Sequence, residues 1–68
     1  MSGVYVLDEG IAEYGTVGVY AIKKDAEDMA GLIIGERTFE KFEKIKRKNV
    51  TEYSSPHFHI KIEYKAIS

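Results

Sequence analysis

The 68-residue sequence predicts an α+β fold, a three-stranded antiparallel sheet with one or two helices on one face, in the order β-β-α-α-β. Three observations carry this. Two short apolar runs flank a glycine-bearing acidic stretch at the start, as in a hairpin. Apolar residues at helical spacing occupy residues 24–48. A strictly alternating run ends the chain.

The first strand is expected over about Val4–Leu7. A link over residues 8–15 follows, with Gly10 and Gly15 supplying conformational freedom. The second strand is expected over about Thr16–Lys23, where Gly18 points to a bulge or a close approach by another backbone or a ligand. Neither strand alternates cleanly, because Val4, Tyr5, Val6 and Leu7 are all apolar or aromatic, as are Val17, Val19, Tyr20 and Ile22. A hairpin apolar on both faces needs cover on both. One helical layer hides one face, so Tyr5, Leu7, Tyr20 and Ile22 are candidates for a contact between copies of the chain.

Asp25 reads as the N-cap of a helix whose stripe is Ala26, Met29, Ala30 and Ile33, ending at Gly35 as the C′ residue. Phe39, Phe42 and Ile45 recur every third residue. Glu40–Lys44 and Glu43–Arg47 are spaced i, i+4, which predicts a second helix from about Thr38 with Asn49 beyond its end. A single helix kinked at Gly35 fits the same residues. From His57 to Ile67, Phe58, Ile60, Ile62, Tyr64 and Ala66 alternate with polar residues, the pattern of a strand with one face on the core.

Length allows one domain, residues 1–68, with a core so small that oligomerisation is its expected support. No cysteine is present, which removes disulfides, thiolate metal sites and thiol nucleophiles. No apolar run is long enough to span a membrane and no basic leader opens the chain, so a cytoplasmic protein is expected. The net charge of −1 hides an asymmetry. Residues 1–36 hold seven acidic and two basic side chains, and residues 37–68 hold eight basic and four acidic ones. Such a split suits docking to copies of itself or to one charged partner.

His57 and His59, two apart on the expected strand, project from one polar face. Two imidazoles fall short of the three or four ligands zinc takes, so no metal is expected. Ser54, Ser55 and Thr51 lie near His57 in sequence, but no nucleophile elbow or phosphate-binding glycine loop accompanies them, and no enzyme is expected. No cofactor is expected either. Lys44, Lys46, Arg47 and Lys48 form a candidate nucleic-acid patch, although helix termination accounts for the same residues. Nucleic acid is therefore the lesser alternative. Tyr14, Arg37, His57 and His59 are the candidate lining of a small nucleotide-like ligand site, since such a ligand needs only a few polar groups and an aromatic wall.

Residues 4–30 resemble a family of small uncharacterised phage and bacterial proteins with a ββα start. The resemblance is carried by Val4-Tyr5-Val6-Leu7-Asp8-Glu9-Gly10, then Tyr14-Gly15-Thr16-Val17-Gly18-Val19-Tyr20, then Lys23-Lys24-Asp25-Ala26-Glu27-Asp28-Met29-Ala30. It implies a phage or mobile-element setting, and no activity or site residue comes with it. The expectation is a non-enzymatic binding protein, assembled as a homo-oligomer, that inhibits a host protein, such as a defence protein, or sequesters a nucleotide-like signal.

Overall fold

The computed structural model describes residues 2–11 and 13–67; Ala12, inside the expected link, lies outside them. The elements are β1 (Ser2–Gly10), β2 (Tyr14–Tyr20), α1 (Lys23–Gly35), β3 (Glu43–Arg47), β4 (Val50–Ser55) and β5 (Phe58–Ile67). The strands form one antiparallel sheet in the order β2-β1-β5-β4-β3. The expected three-stranded β-β-α-α-β layout is therefore wrong. The sheet has five strands, and one helix packs over β1, β2 and β5.

The second expected helix is the source of the error. Residues 43–47 pair with β4, with Lys44 opposite Tyr53 and Lys46 opposite Thr51. Phe39, Phe42 and Ile45 share no face: Phe39 is 80% exposed, Phe42 packs on the core and Ile45 lies on the opposite side of the sheet. Arg47 pairs with Glu52 across the hairpin rather than with Glu43 along a helix. Asn49 does adopt the left-handed conformation, φ 66°, but in the two-residue turn joining β3 to β4. Helix propensity of Lys and Glu is a few tenths of a kcal/mol per residue, and a ladder of tertiary pairs outweighs it.

Other boundaries shift for local reasons. β1 runs on through Asp8-Glu9-Gly10 because β5 supplies Lys61, Ile60 and His59 as register partners. Gly10 admits the turn: a Cβ there would lie 1.8 Å from the carbonyl oxygen of Glu13. A bulge between Leu7 and Asp8 leaves Val17 as the extra residue of β2. Gly18 is approached by neither another backbone nor a ligand; the space a Cβ would take is filled by the Tyr20 ring. α1 starts two residues before Asp25, with Ile22 at the N-cap and no side-chain cap bond. Gly35 is the last helical residue and has no positive φ.

The expected helical stripe and the alternation of β5 meet to form the core. Ala26 and Ala30 are fully buried and let α1 sit close on Leu7, Ile60, Ile62 and Phe58. Tyr5, Tyr20, Met29, Ile33, Ile34, Phe42 and Tyr53 pack around them. Odd-numbered residues of β1 and even-numbered residues of β5 face the helix. Tyr5, Leu7 and Tyr20 thus lie on the covered side, and the open side of the hairpin carries Val4, Val6 and Val19. Ile22 is exposed at the entry to α1. The long strands make the molecule elongated, 40 × 20 × 19 Å. Among the described residues no helix is long and apolar enough to cross a membrane.

Candidate ligand-binding groove

α1 covers only part of its side of the sheet, and the register shows what remains. One row across the strands reads Leu7, Ile62, Thr51, Lys46, and its neighbour reads Tyr20, Tyr5, Tyr64. Where these rows run out from under the helix there is a groove of about 340 Å³. Thr51, Ile62, Tyr5 and Tyr64 line it with Lys46 of β3 and Lys23, the first residue of α1. Thr51 and Ile62 are buried and form its floor.

The two tyrosine rings are held in place. Their centroids lie 5.1 Å apart with planes inclined at 54°. Gly3 leaves room for the Tyr64 ring, since a Cβ there would lie 2.3 Å from the phenol oxygen. The Tyr64 backbone N–H donates to the Asn49 carbonyl at 2.8 Å, tying the ring to the β3–β4 turn. Arg47 also lines the groove, but its guanidinium is drawn to Glu52 on the far face. Lys23 and Lys46 are the cations that a ligand meets. Two ammonium groups, two phenol rings and a threonine hydroxyl are donors and π-faces suited to an anion attached to a planar ring.

Tyr14, Arg37, His57 and His59, the residues expected to line the ligand site, do not come together. Tyr14 and His59 do meet, on the open side of the sheet, with ring centroids 6.4 Å apart. Lys61 lies 5.0 Å from the Tyr14 centroid and 3.9 Å from Asp8 Oδ2. Arg37 is on the helix side, with its guanidinium 4.1 Å above the Phe58 ring and paired to Glu40. His57 is in the turn between β4 and β5 and not on the strand with His59. Among the described residues, no group of three metal-binding side chains exists.

His59 Nδ1 lies 2.8 Å from Ser54 Oγ, a nucleophile–base distance. The register sets Glu43, Ser54 and His59 in one row across β3, β4 and β5. The hydroxyl is therefore in the middle, and the acid stands beside the serine instead of orienting the imidazole. A triad needs the opposite order. These three are cross-strand neighbours that line, with Lys41 and Pro56, a second groove of about 350 Å³.

Glu40 is the best-connected carboxylate. Ser55 Oγ donates to it at 2.5 Å, and Arg37 pairs with it. The serine hydrogen bond, helped by the arginine and opposed by burial, holds the Glu40 pKa below its usual 4.5. A pKa lower in the folded than in the unfolded chain gives stability above the unfolded value, and it is lost as pH falls through the folded one. Between pH 6 and 3, Glu40→Gln is expected to lose less thermal stability than the parent. Melting curves across that range check it, and equal losses in both proteins would refute it. Burial, helped by the charge of Glu27, raises the Tyr53 phenol pKa above its usual 10.0.

Sequence reasoning missed Lys23, Thr51 and Tyr64 as groove residues. Lys23 and Lys46 are 23 positions apart and meet only because β3 is a strand. The one visible signal was Lys48-Asn49 between an alternating basic run and Val50-Thr51-Glu52-Tyr53, which is a hairpin pattern. No protein family, curated protein or solved structure matches the chain.

Proposed function

We propose that this chain is a non-enzymatic cytoplasmic binding protein that sequesters a small nucleotide-like anion, working as a homo-oligomer. The groove supports this: Lys23 and Lys46 at its rim suit a phosphate, and Tyr5 and Tyr64 offer faces for a base. Its volume, about 340 Å³, suits a ligand of nucleotide size. Nothing in the groove favours blocking a host protein.

Nucleic acid is the weaker alternative. Lys44 and Lys46 face the helix side, Arg47 turns to the open side, and Lys48 is in the turn, so the four make no single patch. Lys44 is further engaged 5.9 Å from the Tyr53 ring centre.

Calorimetric titration tests the proposal with a nucleoside monophosphate, the bare nucleoside and inorganic phosphate. The nucleotide is expected to bind with Kd near 10 μM, roughly −7 kcal/mol, and each half alone at least tenfold more weakly. The nucleotide should be recovered intact. With about two phosphate-facing cations, log K should fall with log salt at a slope no steeper than about −2. A steep slope with long single strands, or no binding below millimolar nucleotide, would overturn the proposal.

A further inference from the structure

The two edges of the sheet are unlike. β3 is short, and four of its five residues, Glu43, Lys44, Lys46 and Arg47, are charged. Charged side chains on an edge discourage pairing with another strand. β2 runs Tyr14-Gly15-Thr16-Val17-Gly18-Val19-Tyr20 without one charge or proline. Val17 and Val19 are 41% and 58% exposed, although both belong to a strand. β2 pairs with β1 along one side only, so its other row of N–H and C=O groups faces outward. The bulge at Val17 is the one protective device this edge carries.

We propose that two copies of the chain join antiparallel through their β2 edges about a two-fold axis, making one continuous sheet of twice five strands. Three features select this occupant. An edge strand's unpaired backbone groups are satisfied by another strand, and the uncharged β2 opposes itself without bringing like charges together. Pairing of β2 with β3 of a neighbour would be head-to-tail, giving open-ended growth, and would face four charges of β3 with none on β2. Stacking two open faces would bury His59, Lys61, Glu63 and Lys65 of β5 with Glu43, Arg47 and Glu52. The contact therefore runs along the hairpin's edge and not over its face.

The need is plain from the core: among the described residues six apolar ones are buried, of which Leu7 and Ile60 are the large ones fully buried, and the sequence has no cysteine to cross-link them. Edge pairing also leaves the groove free. That groove is lined by residues of α1, β1, β3, β4 and β5 and by none of β2, so each dimer presents two open grooves. The dimer does not depend on the ligand assignment, and each can fail alone.

Sedimentation velocity at about 50 μM tests it. The parent is expected to run as a dimer of 7.7 kDa chains, and Thr16→Lys/Val19→Lys as a monomer with the same circular dichroism. Four lysines brought to one ladder should raise the dimer dissociation constant at least about 100-fold. Hydrogen exchange on the parent keeps the test independent of the variant: backbone amides of residues 15–19 should slow as concentration rises. A parent that is monomeric with concentration-independent exchange overturns the proposal. So does a dimer that survives the two lysines, because that dimer uses another surface or partner strand.

Discussion

Ile60→Ala is expected to cost about 2–5 kcal/mol, a large share of the stability of the domain. Ile60 is fully buried near the start of β5, the central strand, between Tyr53 of β4 and Glu9 of β1 in register. Above it sit Ala26 and Ala30, whose methyl groups cannot swing down to fill a void. The cavity therefore stays open, and the loss includes both transfer and packing terms. A domain of this length holds roughly 3–10 kcal/mol in total, so one cavity removes a large share. Ile60→Val should cost only about 1 kcal/mol. Phe39→Ala, at a larger but exposed side chain, should change stability by less than about 0.5 kcal/mol. Urea denaturation at one fixed protein concentration measures all three. The assignment of the core fails if Phe39→Ala proves as damaging as Ile60→Ala.

The same residue shows what could be read without coordinates. Strict alternation from Phe58 to Tyr64 reports burial on one face directly, because side chains on a strand change sides at every step. Ala26, Met29, Ala30 and Ile33 likewise mark the inner side of α1. The face of the hairpin was not readable. Tyr5 and Leu7 compete with Val4 and Val6, and only the pairing of Leu7 with Ile62 chooses between them. Residues 38–48 misled for a different reason. Glu and Lys satisfy helix pairs and edge-strand protection equally well, and the choice is made by β4, which pairs with both β3 and β5. The groove inherits that difficulty. It is built across α1, β1, β3, β4 and β5, and its cations lie on two elements joined by no local pattern. Of the residues expected to line a ligand site, only Tyr14 and His59 are neighbours, and they lie on the other side of the sheet.

Reversing the charge at both ends of the groove, Lys23→Glu with Lys46→Glu, is expected to lower nucleotide affinity at least about 100-fold while the protein stays folded. Each change removes an attraction of about 1 kcal/mol at the dielectric of a surface groove and adds a repulsion of similar size. The fold should tolerate both. A carboxylate at the first position of α1 is favourable to the helix dipole, and Lys46 is on an edge strand with no buried partner to abandon. Lys61→Glu is the control, because it reverses one charge, as each groove substitution does, on the opposite face of the sheet, beside Asp8 and Glu63. Its nucleotide affinity should move by less than threefold. Tyr64→Ala separates the two halves of the ligand: loss of one stacking face should weaken nucleotide about tenfold or more and leave inorganic phosphate unchanged. Calorimetry on the four proteins at one ionic strength gives the comparison. Weakening by Lys61→Glu of half or more of the groove pair's free energy would mean that the ligand senses net charge alone, and the groove would lose its role.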